Sequence, residues 1–366
     1  MFSRRRILQL SALAAAGSFI PRFTLAQSTS SLVEAAKAAG QDRVVISSGS
    51  GVFAQLMDEL FFQPFKKATG ISVSGVDSVD SLVRIKAMVQ SGNIEWDIAY
   101  LSPEEVSDEF KPYFENLGAN CEQLPNVSLE GVDGSCFGGS AVAWDQGGLG
   151  LAYDERAFPE GGPTNWVEFW DVEKFPGPRA LPNYGSPWQV LTAALIADGV
   201  PRDKLFPLDL DRAFRKLDEL KPNIAVWWAA GDQSQQLFRS KEVVASAIWN
   251  GRASRLQAEG VPVRFSWDGA CYEPMTYRLV KNGPNPLAAK ALLDFLYTRP
   301  EAHAAFIKKM SYALPNKKAI ELLDPKFASS LVTAPENLPK VVRMDADWIN
   351  ANRAVLSERW TSWVSG

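Results

Sequence analysis

The sequence predicts an α/β fold of two lobes with a ligand cleft between them. Short apolar runs alternate with amphipathic segments of roughly 10 to 18 residues, the pattern of a parallel sheet flanked by helices. The alternation occurs twice with different material, and no flexible linker, repeat or low-complexity tract divides the two halves. In the first unit, residues 43–47 read as a strand and Val52, Leu56, Leu60 and Phe61 recur at helical spacing until Gly70 stops them. Residues 71–74 form a strand, 81–90 a helix and 96–100 a third strand. The second unit has a strand at 147–153, helices at 165–170, 188–198, 211–220 and 233–240, and a strand at 243–249. Residues 264–267 and 275–280 add strands, 286–310 read as two helices broken at Arg299 and Pro300, and 319–366 as a helical tail carrying Trp348, Trp360 and Trp363. Two lobes without a linker imply several chain crossings, and ligands of such sheets sit beyond the carboxyl ends of the strands, here in the interlobe cleft.

Composition narrows the chemistry. The 366 residues are 46% hydrophobic, enough for two sizeable cores, and a net charge of −4 with no block of like charge argues against nucleic acid as a partner. His303 is the one histidine, which removes most zinc sites, Ser-His-Asp triads and Cys-His nucleophile pairs and leaves carboxylate, lysine or tyrosine chemistry as the enzyme alternatives. No cofactor, metal or catalytic residue is expected, and the enzyme reading starts behind. Residues 1–26 have the parts of an export signal: Arg4, Arg5 and Arg6, an uncharged run from 10 to 20, and Ala26 before the cut. The run Ser3-Arg4-Arg5-Arg6-Ile7-Leu8 has the twin-arginine form. Removing these 26 residues, four of them arginine, from 366 at −4 leaves 340 at −8. With the first cysteine at 121 there is no lipid-anchor site at the cut, so a free periplasmic protein is expected, a monomer in solution. Cys121 and Cys136 bracket a Pro/Gly/Asn-rich segment and are expected to form a disulfide in that compartment; Cys271 is left as a small buried apolar group.

Several residues are candidates for ligand contact. Ser48, Gly49, Ser50 and Gly51 leave a strand and open a helix, where unpaired backbone N–H groups favour an anion; an ordinary N-cap by Ser50 explains them equally well. Trp249 and Arg252 flank a strand end, where a guanidinium forks onto a carboxylate beside an aromatic wall; a surface arginine after a turn is the alternative. Of Trp227 and Trp228, one ring belongs in a core and the other faces a cleft or another domain. Tyr272 and Glu273 follow a lobe crossing, which would place one carboxylate in the cleft or leave it in solvent. His303 reads as a helix-surface residue without a role, and Asp209 with Asp211 as helix-start residues.

Several stretches together resemble one family: Ile85-Lys86-Ala87-Met88-Val89-Gln90-Ser91-Gly92 with Trp96-Asp97-Ile98; Leu151-Ala152-Tyr153-Asp154 with Pro163-Thr164-Asn165-Trp166 and Phe169-Trp170-Asp171; Glu242-Val243-Val244 with Trp249-Asn250-Gly251-Arg252; and Tyr312-Ala313-Leu314-Pro315-Asn316. The chain resembles periplasmic solute-binding proteins of ABC importers, in the branch of the spermidine and putrescine binders and their opine-type relatives. The resemblance implies a type II periplasmic-binding-protein fold: lobe one at 27–142 plus 267–312, lobe two at 143–266 plus 313–366. It also implies a small-molecule solute, a membrane permease as partner, and further contacts at Ser102, Tyr184 and Trp188. The departures from polyamine binders matter most. The first loop is Ser/Gly rather than aromatic, and Arg252 stands where putrescine binders often carry an aspartate, so a dication fits poorly. A ligand with one carboxylate on Arg252 or the Ser/Gly loop and one ammonium near Glu273 is expected, such as an amino-acid derivative or opine. A true polyamine binder and a secreted hydrolase with a carboxylate pair are the alternatives. The reading requires residues 48–51, 228, 249 and 252 to meet at one interlobe crevice.

Overall fold

Local chemistry sets most helix ends. Asn165 caps the helix Trp166–Trp170 by accepting from Glu168 N, and Asp209 does the same for Leu210–Leu220 through Arg212 N. Gly70 in the left-handed region ends Gln63–Thr69, and the tail segment 286–310 divides into Pro286–Leu296 and Pro300–Met310. This computed structural model describes residues 27–77, 81–183 and 186–366. The expected export signal and Tyr184 lie outside the described residues.

Among the described residues ten strands form one mixed sheet: β1 (Arg43–Ser48), β2 (Ser72–Asp77), β3 (Ile98–Leu101), β4 (Cys136–Phe137), β5 (Ala141–Asp154), β6 (Arg179–Pro182), β7 (Ile224–Trp228), β8 (Ala245–Trp249), β9 (Val263–Leu279) and β10 (Val342–Arg343). Along the sheet the order is β2-β1-β3-β9-β5-β8-β6-β7. The expected parallel pairings exist at each end, β1 with β2 and β3, and β6 with β7 and β8. The middle is antiparallel, because β5 and β9 are long strands running from one half into the other. The two short strands expected at 264–267 and 275–280 are one 17-residue strand, β9.

Two large hydrophobic cores lie on either side of this central pair. The first gathers the helices around β1, β2 and β3 with Trp144, Tyr277 and the helices of 286–310. The second gathers β6, β7 and β8 with Trp166, Trp188, Trp228 and the C-terminal helix Ala346–Ser365. The division corrects one expected boundary. Ala313, Leu314, Ala319, Leu331 and Val341 pack in the first core, and the chain passes to the second only at Val342. There β10 pairs with β9 at Cys271 and Tyr272, a third crossing beside β5 and β9. Apolar pattern alone does not say against which core a helical segment packs, and 313–341 was expected in lobe two.

Cys121 and Cys136 are bonded, with Cα atoms 5.7 Å apart, and Cys271 is buried on β9. Closing that loop contributes about 3 kcal/mol in the chain-entropy model. No helix among the described residues is long and apolar enough to cross a membrane.

Candidate functional site

Where β5 and β9 cross between the cores they floor a cleft of about 310 Å³. One wall carries Phe53, Tyr100, Asp145 and Tyr312; the other carries Ala229, Gly231, Trp249 and Arg252; Gly147, Glu273 and Met275 lie between.

Each side chain of the first wall is held by packing. Phe53 folds back over Gly49, where an added Cβ would come within 2.7 Å of the ring, so the Ser/Gly loop seats an aromatic. The Phe53 ring packs edge-on against Phe306 and tilted against Tyr100, at centroid distances of 5.2 and 5.5 Å. Tyr100, at the end of β3, donates its hydroxyl to Asp145 Oδ1 at 2.5 Å. Tyr312 lies against two glycines: a Cβ at Gly147 would approach its ring to 2.7 Å, and one at Gly251 to 2.8 Å. Its segment is tied down because Ala313 exchanges backbone hydrogen bonds with Gln146, and Asn250 Nδ2 donates to Ser311 O at 2.6 Å.

The second wall is shorter and more open. Arg252 stands in the first turn of the helix Asn250–Ala258 and lies over Gly231. Its guanidinium donates to Asp232, whose side chain is 82% exposed, and to Gln235 Oε1 at 3.3 Å. Such a solvated pairing is worth at most about 1 kcal/mol and is readily exchanged for a better-placed carboxylate.

Electrostatics sharpen the picture. Asp145 is buried, and burial pushes its carboxyl up to about 6 against the hydrogen bond from Tyr100. Tyr312 is pushed up to about 12, by burial first and then by Asp145, while Arg252 pulls it the other way, so this phenol feels both charges. Glu273 is held well above the carboxylate range by burial, then by Glu104 and Glu105. Its weak donor is Gln189 Nε2 at 3.4 Å.

Of the residues required to meet at one crevice, Trp249 and Arg252 line this cleft and Ser48 to Gly51 and Trp228 do not, so the condition set on the sequence reading fails and only its Trp249 and Arg252 part is carried forward; Glu273, a separate candidate, also lines the cleft. Ser48, Gly49, Ser50 and Gly51 line a neighbouring cavity of about 420 Å³ with Asp58, Gly75 and Asp77. The helix after this loop has Gly51, without a side-chain cap, where Ser50 was the alternative. Trp188 and Trp228 are fully buried in the second core. Trp227 is half-buried and does not line the cleft; it packs on Trp360 and Trp363 of the C-terminal helix, 5.6 Å from each. Ser102 is buried at the end of β3, its N–H donating to Glu105. Tyr272 sits at the crossing, donating to Gln146 Oε1 at 2.9 Å beneath the Arg343 guanidinium. His303 is not on a helix surface: it is fully buried against Phe61 and Trp144, its Nε2 2.8 Å from Leu296 O. Asp145, Tyr312, Tyr100 and Phe53 were missed. The available signal was an aspartate inside the long apolar strand 141–154, a position that burial makes costly without a role.

Two α/β halves crossed by three segments, with an open polar and aromatic cleft between them, define a receptor for a small solute. A family model for bacterial extracellular solute-binding proteins matches residues 61–338. The chain is 33% identical over 337 residues to the gamma-aminobutyric acid-binding protein of Pseudomonas aeruginosa, covering 90% of this chain and 93% of that one. Among solved structures, the periplasmic binding protein AttC of Agrobacterium tumefaciens C58, in an open unliganded conformation, is 39% identical with a TM-score of 0.72 over 88% of this chain and 99% of AttC. An ABC transporter substrate-binding protein from Bradyrhizobium japonicum USDA 110 is 33% identical with a TM-score of 0.80, over 88% and 99%. The chain belongs to the bacterial extracellular solute-binding protein family, the solute-binding proteins of ABC transporters.

Proposed function

We propose that this protein is exported through its twin-arginine leader, acts in the periplasm as a monomer, and delivers to an ABC permease a small solute whose carboxylate is held by Arg252. The observation that carries the reading is the Arg252 guanidinium on the open wall of an aromatic cleft, paired only to side chains that a ligand displaces without leaving a buried charge behind. The relative from Pseudomonas aeruginosa, named for an amino acid with one carboxylate, supports the same class. The protein acts by capture, with no covalent change. Closing the lobes over the solute exchanges the solvated Asp232 partner for a carboxylate out of water, where a fork of two N–H groups holds more strongly.

A thermal-shift screen of the mature chain against gamma-aminobutyrate, amino acids, opines, putrescine and spermidine tests the class. A carboxylate-bearing compound should raise the melting temperature in proportion to the logarithm of its concentration, while the diamines leave it unmoved. A true polyamine binder is the second reading, favoured by the two carboxyl side chains of the cleft, Asp145 and Glu273. Saturable stabilisation by putrescine alone would establish it and overturn the first.

A further inference from the structure

A groove of about 830 Å³ lies apart from the interlobe cleft and shares no lining residue with it. Its sides are the segment 103–116, the turn from β4 into β5, and residues 344–347, where the chain leaves β10 for the C-terminal helix. Arg278 of β9 lines this groove with 5% of its surface exposed. Its guanidinium carbon lies 5.6 Å from the centroid of the Phe114 ring, and Nη1 donates to Ser140 Oγ at 2.9 Å. Nε is buried and has no hydrogen-bond partner. A charge that does not dissociate at neutral pH is thus held out of water with the Nε edge of its fork unused.

The charged groups around Arg278 are engaged elsewhere, and among the described residues no carboxylate lies within ion-pair distance of it. Glu105 attracts it from farther off, its own carboxylate accepting from Ser102 N at 2.7 Å. Asp345 caps the C-terminal helix by accepting from Trp348 N at 2.9 Å. Lys111 Nζ lies 2.6 Å from Asp108 and 3.8 Å from Asp347. Burial lowers the Arg278 pKa to about 10 against the pull of Glu105, so the guanidinium stays charged at pH 7.5.

We propose that this groove is a second binding site, for a small apolar monocarboxylate whose carboxylate takes the Nε edge of Arg278 and whose hydrocarbon body lies against Val106, Phe137 and Met344. Charge decides the class. Lys111 and Arg278 share the groove with Glu115, Asp345 and Asp347, so its walls are already net negative, and a phosphate dianion meets more repulsion than one guanidinium offsets. A single negative charge at the buried end is answered by the fork. A cation is turned away from that end by Arg278. The apolar side chains favour a hydrocarbon body, because covering them removes apolar surface from water.

Calorimetry at pH 7.5 with 3-phenylpropanoate and hexanoate tests this on the mature chain. At least one of the two should bind, while inorganic phosphate and 3-phenylpropan-1-amine should not. Binding should persist in Arg252→Ala and weaken by at least about thirtyfold in Arg278→Met, which keeps the bulk of the side chain and removes the charge. Arg278→Met should also melt no lower than the unaltered protein, since it removes a buried charge without an ion-pair partner; a role in stability alone would lower the melting temperature instead. Ala346→Trp, which adds bulk on the groove wall and leaves Arg278 in place, should block the probe. Failure of both carboxylates to bind the unaltered protein would overturn the proposal, as would equal binding of the amine. Loss of binding in Arg252→Ala with retention in Arg278→Met would put the probe in the interlobe cleft and overturn it too. Undiminished binding in Ala346→Trp has the same force, and it decides even where Arg278→Met does not fold.

Discussion

The two walls of the cleft are built on different terms. On the first, Phe53 and Tyr100 continue into Phe306, Tyr277 and Trp144, a line of aromatic contacts 5.2 to 5.5 Å apart that ends on the buried His303. The cleft-facing side chains there are the outer edge of the first core. On the second wall, Arg252 projects from a helix start toward solvent and an exposed aspartate, with the second core behind it. The contrast shows how one receptor divides its work. The first wall is a preformed surface whose shape is inseparable from stability, and the second is a charged arm paired to an exposed carboxylate.

Substitutions on the two walls should therefore separate. Phe53→Ala, at 8% exposure, should cost about 3–5 kcal/mol of folding stability and also weaken solute binding. Arg252→Ala should cost about 2–5 kcal/mol of binding and less than about 1 kcal/mol of stability. Chemical denaturation and calorimetry on both variants check the split, and a stability loss in Arg252→Ala as large as in Phe53→Ala would erase the distinction between walls. The floor of the first wall gives a pH signature. Burial lowers the His303 pKa from 6.5 to about 4, so the unfolded chain takes up the proton first as pH falls. This group's contribution is present above pH 6.5 and is lost on acidification to pH 4, for about 3 kcal/mol. Buried Asp145 and Glu273, whose carboxyls are raised, act in the opposite sense. Urea titrations from pH 7 to 4 should accordingly show His303→Phe gaining on the unaltered protein by that amount. A constant difference across the range would show that His303 does not titrate as its burial implies. The smallest effect is expected at the seam. Gly147→Ala drives a methyl into the Tyr312 ring and should cost about 1–3 kcal/mol of stability, with weakened binding because Tyr312 lines the cleft.

Reading the chain from its residues reaches some of this and stops at identifiable points. The cleft residues found in advance, Trp249, Arg252 and Glu273, stand at strand ends or crossings, where a local pattern marks a position facing a cleft. Trp188 and Trp228 fit the same rule and are buried, because a tryptophan at a strand or helix end fills a core as readily as it lines a site. Ser48 to Gly51 have the composition of an anion loop, yet the space beside Gly49 is taken by Phe53, a contact that depends on how the following helix leans.

What the amino-acid sequence by itself determined was everything carried by near neighbours: strands with their alternation, helices with their caps and stops, and the pairing of Cys121 with Cys136. Tertiary structure alone decided which distant segments share a surface. It folded 313–341 onto the first core, buried His303, merged two short strands into the crossing strand β9, and brought Asp145, Tyr312 and Arg252 from three separate stretches to one cleft. The physical reason is range: hydrogen-bond caps and side-chain periodicity act over a few residues, whereas a site's electrostatics arise from groups whose proximity exists only after the cores have packed.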